Sequence, residues 1–233
     1  MDEALILAGG FGTRLQSVIS DVPKPLAPVA GRPMLEYLLL QLHRCGVKHV
    51  VLSLGFKYQL IRHQFGPEYK GIELSYSVEA TPLGTGGAIA TALSLMSAPH
   101  FMVLNGDSIF MADLEKMYLA HATKQADITM GLRAMQDASR YGTVQMGHDE
   151  HITGFSEKTL GSSGLINAGV YVFRHAFLNA LNFSGKFSLE KDVFEALSGH
   201  AKFYGYQEQA YFIDIGIPDD YRKAQKDLPK FFI

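Results

Sequence analysis

The chain has 233 residues, of which 47% are hydrophobic, and it carries a formal net charge of −2 at neutral pH. This composition predicts a folded protein without a positive field over the whole molecule, so nucleic acid is not an implied partner. The single cysteine, Cys45, excludes an internal disulfide, and no apolar run is long enough to cross a membrane. We therefore expect a cytoplasmic protein.

Apolar strands alternate with helical patterns over the first 140 residues. Leu35, Leu38, Leu39 and Leu42 recur with helical spacing after Pro33. The other predicted elements are strands over 4–8, 47–52, 72–78, 101–104 and 127–133 and helices over 57–65, 84–96 and 113–125. Such alternation predicts a mostly parallel sheet flanked by helices.

After Gly142 the pattern changes to short strands joined by turns, over 143–146, 152–155 and 166–173. These strands predict an antiparallel or mixed half. Further helices are expected near 188–197 and 218–227. No linker or repeat separates the two patterns, so we expect one α/β domain over 1–233, with an N-terminal half of about 1–140 and a C-terminal half of about 141–233.

The first strand leads into a glycine-rich loop that is followed by two cations. Leu7-Ala8-Gly9-Gly10 continues into Phe11-Gly12-Thr13-Arg14, and Lys24 comes ten residues later. Glycines allow backbone N–H groups to approach a phosphate, where Arg14 and Lys24 would add positive charge. The run lacks the Gly-Lys-Ser/Thr of a Walker loop, and Leu15 replaces the third glycine of a dinucleotide fingerprint. For the loop alone, a plain strand-to-helix turn stays the alternative.

Two acidic residues follow apolar strands. Asp107 comes after the strand over 101–104, and Asp214 comes after Tyr211-Phe212-Ile213. Ligands of open α/β sheets bind beyond the carboxyl ends of the strands, and Mg²⁺ prefers carboxylate and phosphate oxygens. The two acids could meet on one metal ion, although turn aspartates would produce the same pattern.

Together these motifs resemble those of the sugar-1-phosphate nucleotidyltransferases. Blocks in the family's order extend over nearly the whole chain: Gly9–Leu15, Pro23–Leu26, Pro82–Ala88, Asn105–Asp107, Tyr141-Gly142, Glu157-Lys158, Asn167–Gly169 and Asp214–Gly216. The resemblance implies a Rossmann-like three-layer α/β fold with a mixed, mostly parallel central sheet. It also implies transfer of a nucleoside monophosphate from a nucleoside triphosphate to a sugar 1-phosphate, with Mg²⁺ as cofactor and release of pyrophosphate.

The resemblance implies a set of site residues as well. Arg14, Lys24, Asp107 and Lys158 would be catalytic, and Asp107 and Asp214 would hold the metal. The nucleotide would contact Leu7, Ala8, Gly9, Gly10, Gly12, Thr13, Glu79, Pro82, Gly84 and Thr85. The sugar phosphate would contact Asn105, Tyr141, Gly142, Glu157, Lys158 and Asn167. The N-terminal half is then the nucleotide half and the C-terminal half the sugar-phosphate half. Without the resemblance, Glu157-Lys158 would be a surface ion pair and Asn167 a residue that binds local amides.

Glu79 bears on the choice of base. Relatives that use thymidine or uridine triphosphate commonly have glutamine near this position, since an amide suits the N3–H and O4 edge of those bases. A carboxylate only accepts hydrogen bonds, which suits the N1–H and 2-amino groups of guanine, so Glu79 favours GTP. An exposed glutamate at the end of a strand is the alternative.

Within the family, the chain length, Glu79 and the run Leu83–Ala88 are most similar to guanylyltransferases that act on D-glycero-α-D-manno-heptose 1-phosphate. Those enzymes supply a GDP-sugar for bacterial surface polysaccharides. A mannose-1-phosphate guanylyltransferase, a uridylyltransferase and a non-catalytic nucleotide-sugar sensor stay open as alternatives. The expected partners are GTP and a sugar 1-phosphate, without nucleic acid or membrane; whether a homo-oligomer forms stays open.

Overall fold

A mixed β-sheet with helices on both faces forms the framework of the protein. The computed structural model describes residues 1–10, 15, 19, 22–157 and 159–232. The strands among these residues are β1 (Glu3–Leu7), β2 (Pro28–Val29), β3 (Arg32–Pro33), β4 (His49–Leu54), β5 (Glu68–Tyr69), β6 (Ile72–Val78), β7 (His100–Asn105), β8 (Ser108–Phe110), β9 (Ile128–Met135), β10 (Thr143–Met146), β11 (Ile152–Ser156), β12 (Gly164–Arg174), β13 (Phe203–Gln207) and β14 (Phe212–Asp214). The α-helices are α1 (Met34–Arg44), α2 (Tyr58–Phe65), α3 (Gly84–Ala92), α4 (Leu114–Thr123), α5 (His175–Leu181) and α6 (Pro218–Asp227).

The large sheet contains ten strands, in the order β11-β10-β12-β7-β1-β4-β6-β5, with β9 paired to β12 and β13 paired to β9. Its neighbours β7, β1, β4 and β6 run parallel, as the alternating pattern predicts. Strands β10, β11 and β12 pair antiparallel, which confirms the predicted change after Gly142. The sheet runs through both halves of the chain, because β9 joins β12 and β13.

The central strands are buried on both faces. Along β1, Ala4 and Ile6 belong to one hydrophobic core and Leu5 to the other, since successive side chains of a strand point to opposite faces. Buried residues of α1 and α6 pack in the first core, and those of α3 pack in the second. The expected three-layer arrangement is therefore confirmed. Among the described residues, no helix is long and apolar enough to span a membrane.

Most predicted elements lie within two residues of the observed ones. The helix expected over 84–96 ends at Ala92 and continues as a 3₁₀ turn over Leu93–Leu95. The helix expected near 188–197 is π-helical over Leu189–Glu195. The sequence pattern did not predict that β8 and β14 form a small antiparallel sheet of their own.

The parallel register brings the carboxyl ends of the central strands to one edge of the sheet. Leu7 lies opposite both Ser53 and Asn105, and Ser53 lies opposite Ser77. The residues that follow these strands therefore meet at this edge, where ligands of open α/β sheets bind.

Candidate active site

A cleft of about 310 Å³ opens at the carboxyl ends of the parallel strands. Its lining comprises Leu7, Ala8, Gly9, Gly10, Lys24, Pro25, Ser53, Glu79, Pro82, Gly84, Thr85, Ala88, Asn105, Gly106 and Asp107. All the described residues that we expect to contact the nucleotide line this cleft, and Asn105, which we expect on the sugar phosphate, lies here too. Gly12, Thr13 and Arg14 lie outside the described residues.

Asp107 and Asp214 come together through the pairing of β8 with β14. In this antiparallel pair Asp214 lies opposite Ser108, the residue after Asp107. The N–H of Ile215 also donates a hydrogen bond to the carbonyl of Asp107 at 2.9 Å. Two strand-end acids that are distant in sequence therefore stand side by side at the cleft.

Lys24 places its ammonium group between these two acids. Its Nζ lies 2.6 Å from Oδ2 of Asp107 and 3.9 Å from Oδ1 of Asp214. Lys24 begins a 3₁₀ turn with a proline on each side, and Pro25 is buried. Because proline restricts the backbone on both sides, the turn directs the lysine side chain into the cleft.

The acid pair fits a divalent cation. Burial and the neighbouring Asp107 carboxylate raise the pKa of Asp214, while Lys24 and the N–H of Gly216 partly offset this effect. Two close carboxylates resist joint ionisation unless a cation lies between them, and here the Lys24 ammonium supplies that charge. Two carboxylates, with phosphate and water completing the set, are the usual ligands of Mg²⁺. No group of three His, Cys, Asp or Glu side chains within the described residues could hold a metal ion.

Glu79 follows β6 and is half-buried at the cleft, rather than exposed. Oγ of Ser53 donates a hydrogen bond to its Oε1 at 3.1 Å. The N–H of Leu83 donates another to its Oε2 at 2.9 Å. Each carboxylate oxygen has capacity for a further donor, so the group can still accept from a ligand.

The glycines at the start of α3 permit close packing against the C-terminal half. A Cβ at Gly86 would overlap the ring of Phe187, whose carbonyl accepts a hydrogen bond from the Gly86 N–H. Oγ1 of Thr85 donates to Oε2 of Glu190 at 2.8 Å and accepts from the N–H of Leu189 at 2.9 Å. Thr85 lines the cleft, but its hydroxyl already binds the π-helical segment.

A groove of about 500 Å³ lies beside the antiparallel strands. Its lining comprises Gly142, Thr143, Val144, Phe155, Ser156, Glu157, Asn167, Glu190, Phe194 and Glu195. Three of the residues that we expect on the sugar phosphate, Gly142, Glu157 and Asn167, meet here. Lys158 lies outside the described residues.

Tyr141, the remaining residue expected on the sugar phosphate, does not line the groove. Its ring packs edge-on against Phe212 with 5.9 Å between the ring centroids. Burial and the nearby Asp214 carboxylate raise the pKa of Tyr141 to about 12. Tyr141 therefore lies close to the acid pair as well as next to Gly142.

Two contacts connect the cleft with the groove. Nδ2 of Asn167 donates a hydrogen bond to the hydroxyl of Tyr171 at 2.8 Å, and this hydroxyl also interacts with the Asn105 side chain. Tyr171 is fully buried, which raises the pKa of its phenol. The contact of Thr85 with Glu190 forms the second connection. The cleft and the groove are therefore neighbouring parts of one site.

Sequence reasoning missed Ser53 in the cleft and the acids Glu190 and Glu195 in the groove. Ser53 could have been found, because it is near the end of a strand that was expected to run parallel to β1. The two glutamates lie on the π-helical segment, and nothing in their spacing indicates which cavity the segment faces.

Comparisons with known proteins agree with this geometry. The sequence profile described as "Nucleotidyl transferase" matches residues 3–230. A D-glycero-alpha-D-manno-heptose 1-phosphate guanylyltransferase from Aneurinibacillus thermoaerophilus is 46% identical over 229 residues, which are 98% of this chain and 99% of that enzyme. An enzyme of the same name from Campylobacter jejuni is 40% identical over 94% of this chain and 96% of its own. The crystal structure of HddC from Yersinia pseudotuberculosis complexed with GMP-PN matches with a TM-score of 0.85 and 35% identity, covering 99% of this chain and 100% of that chain.

Proposed function

The chain belongs to the nucleotidyl transferase family, and we propose that it is a guanylyltransferase, which transfers GMP from GTP to a sugar 1-phosphate. D-glycero-α-D-manno-heptose 1-phosphate is the proposed acceptor. Two relatives that carry this substrate in their names support the choice, since they match nearly the full length of the chain. The product would be a GDP-sugar for the synthesis of surface polysaccharides.

Lys24 and Asp107 line the cleft that also contains Glu79, and Asp214 lies 3.9 Å from Lys24; the meeting of these three charged residues carries the proposal. In the reaction, a phosphate oxygen of the sugar 1-phosphate forms a bond to the α-phosphorus of GTP. The bond from that phosphorus to the bridging oxygen breaks, and pyrophosphate leaves with the electron pair. The attacking phosphate is ionised at neutral pH, so no protein base is needed.

The protein's part in this reaction is positioning and charge neutralisation. Asp107 and Asp214 would hold Mg²⁺, which supplies positive charge to the phosphate oxygens. Lys24 would contact the phosphate oxygens from the same point in the cleft, and the resemblance gives Arg14 and Lys158 similar roles. A sensor without activity would not need this arrangement of charges.

Glu79 supports the choice of GTP. Its carboxylate accepts hydrogen bonds only, and it lies at the cleft wall with capacity for further donors. The N1–H and 2-amino groups of guanine are two adjacent donors of this kind. HddC, which matches this chain over nearly its full length, binds the guanine nucleotide GMP-PN in its crystal structure, and this supports the same choice.

The groove supports a sugar with several hydroxyl groups. Glu157 lines it with a carboxylate that makes no hydrogen bond or ion pair to any described residue. The amide of Asn167 is held by Tyr171 and by the N–H of Gly169, which donates to its Oδ1 at 2.9 Å. Asn167 can therefore bind a hydroxyl at a fixed position, and Glu157 can bind one at an adjustable position.

The test is a matrix of four nucleoside triphosphates against heptose, mannose and glucose 1-phosphates, with release of pyrophosphate as the measurement. We expect turnover with GTP and D-glycero-α-D-manno-heptose 1-phosphate to exceed every other combination. Higher turnover with mannose 1-phosphate than with the heptose 1-phosphate would revise the proposed acceptor but not the guanylyltransferase proposal. A preference for UTP would contradict the guanylyltransferase proposal, and no turnover in any combination would favour the sensor.

A further inference from the structure

The carboxylate of Glu79 is fixed at both oxygens, by donors from two different segments. Ser53 on β4 binds Oε1 at 3.1 Å, and the N–H of Leu83 binds Oε2 at 2.9 Å. The backbone of Glu79 is fixed as well, because its N–H donates to the carbonyl of Leu54 at 2.8 Å. This last bond extends the pairing of β6 with β4 by one residue.

Ser53 has a rigid setting. Its side chain is fully buried, and β4 lies between β1 and β6. Its carbonyl accepts a hydrogen bond from the N–H of Ala8 at 2.8 Å, so the backbone cannot shift without breaking the sheet. A hydroxyl has one proton to donate, and the bond to Glu79 uses it.

Gly9 leaves the space that this carboxylate position needs. A Cβ at Gly9 would lie 2.9 Å from Oε1 of Glu79 and would push the carboxylate away. The donor on one side and the gap on the other therefore define one position for Oε1. Gly9 therefore leaves room for the Glu79 carboxylate, which is a role distinct from binding a phosphate.

The two protein contacts also bear on which groups position 79 presents to a ligand. A glutamine could place its oxygen toward the N–H of Leu83 and its NH₂ toward Ser53, whose hydroxyl can accept, but it would then present one acceptor and one donor to a ligand. A carboxylate keeps an acceptor direction on each oxygen. Two acceptors held in one plane match two adjacent donors of a planar ligand.

We infer that Ser53 is a positioning residue for base selection, since its hydroxyl orients the Glu79 carboxylate so that both oxygens meet the two donors of guanine. The inference rests on the proposed function, because GTP is the nucleotide that Glu79 would bind. Ser53 acts through Glu79. Without the Ser53 hydroxyl, the Glu79 carboxylate is free to turn. It then binds both donors of guanine less often, so the preference for GTP over ITP weakens.

The test compares GTP with ITP, whose base lacks the 2-amino group. Ser53→Ala is expected to narrow the GTP-over-ITP ratio of kcat/KM by about three- to tenfold, mainly through a higher KM for GTP. Ser53→Thr keeps the hydroxyl and should retain the wild-type ratio. Ser77→Ala is the matched control, because Ser77 is a buried serine opposite Ser53 that makes no hydrogen bond to Glu79.

A second measurement separates positioning from packing. In a Glu79→Gln background, Ser53→Ala should leave the GTP-over-ITP ratio unchanged, because the group through which Ser53 acts has been removed. Thermal unfolding of each variant shows whether a change in the ratio accompanies a loss of stability. If Ser53→Ala and Glu79→Gln instead change the GTP-over-ITP ratio independently, so that their effects add in the double variant, the inference is overturned.

The outcomes distinguish the inference from the proposed function. A wild-type protein that prefers GTP, with a Ser53→Ala variant that keeps the same GTP-over-ITP ratio, overturns the inference alone. Equal losses with GTP and ITP also overturn it, since they indicate a purely structural role. A wild-type preference for UTP overturns the proposed function, and the inference with it.

Discussion

The cleft lies at the ends of parallel strands, where both Lys24 and Glu79 have protein partners that fix them. The groove lies beside antiparallel strands, and the carboxylates of Glu157 and Glu195 line it without a hydrogen bond or ion pair to any described residue. The difference separates two tasks. Under the proposed function, Lys24 and Glu79 on the nucleotide side are held in place before the substrate binds, whereas Glu157 and Glu195 on the sugar side have room to adjust. Changes in the cleft should therefore alter turnover or base choice, and changes in the groove should alter the KM of the sugar phosphate.

Asp107→Asn should have the largest effect. It removes one of the two carboxylates that fit the metal, and loss of such a contact at a reacting centre typically lowers turnover about 10²- to 10³-fold. Stability should change little, because the Asp107 side chain is 39% exposed. Turnover at limiting Mg²⁺ and thermal unfolding measure the two effects. Asp219→Asn, at an exposed ion pair on α6, is the control; near-normal turnover of Asp107→Asn would contradict the metal assignment.

Lys24→Ala should lower kcat by about 10²-fold, because it removes positive charge from the point where the phosphates are expected. The KM of the sugar phosphate should stay close to that of the wild type. Steady-state kinetics with each substrate varied in turn will separate these parameters. Lys48→Ala serves as the matched control, since Lys48 is exposed and lines neither the cleft nor the groove. An effect confined to the KM of the sugar phosphate would indicate that Lys24 binds the sugar phosphate rather than the phosphates of GTP.

Glu79→Gln should lower kcat/KM for GTP by roughly ten- to a hundredfold and should narrow the preference for GTP over ITP. The amide turns a donor toward the base or toward the N–H of Leu83, which already donates to this side chain. Initial rates with GTP, ITP and UTP provide the measurement. Glu73→Gln, an exposed position on the same strand, is the control. An unchanged ranking of the three nucleotides would show that other groups select the base.

Glu157→Gln should raise the KM of the sugar phosphate by about tenfold and should leave kcat and the KM for GTP near the wild-type values. The carboxylate would accept from sugar hydroxyls, and an amide provides one acceptor fewer. Glu195→Gln provides the comparison within the same groove. Equal effects of the two variants on the acceptor KM would contradict a special role for Glu157.

His121→Gln should have the smallest effect on activity, because His121 lines neither the cleft nor the groove. Its side chain is fully buried. Its Nδ1 lies 2.9 Å from Oγ1 of Thr129, and its Nε2 lies 3.0 Å from Nδ1 of His100. Burial, with smaller effects from His100 and Arg174, lowers the pKa of His121 to about 4.

The unfolded chain, with a histidine pKa near 6.5, binds more protons than the folded chain between about pH 4 and 6.5. Stability is therefore complete above this window and falls as the pH drops through it, by at most about 1.4 kcal/mol per pH unit. Thermal unfolding across this range should show a flatter dependence for His121→Gln, and exposed His148→Gln should match the wild type. Identical slopes for wild type and His121→Gln would contradict this assignment.

Much of the fold follows from features that act locally. The period of the apolar residues predicted most strands and helices to within two residues. The strand-end rule predicted that Asp107 faces the edge of the sheet where ligands bind. Antiparallel pairing of β8 with β14 was not predictable, since it joins short segments that are far apart in the chain.

The sequence also left the reasons for some residues open. In the run Leu83–Ala88, Gly84 and Thr85 were expected to contact the nucleotide, yet the neighbouring Gly86 is required for packing against Phe187. Glu79 indicated guanine, yet its carboxylate also accepts a hydrogen bond from the hydroxyl of Ser53 on β4. Phe187 and Ser53 are both distant in sequence from the residues that they contact, so the local sequence pattern could not reveal these contacts.

The pairing of β8 with β14 also makes the site depend on the order in which the chain is synthesised. Lys24 and Asp107 leave the ribosome early, but Asp214 is contributed by the last strand of the described chain. Contacts of such long sequence separation form late, because closing a large loop costs chain entropy. A nascent or partly folded chain with β14 detached has only one of the two acids in place, so under the proposed function it would bind the metal only after folding is complete.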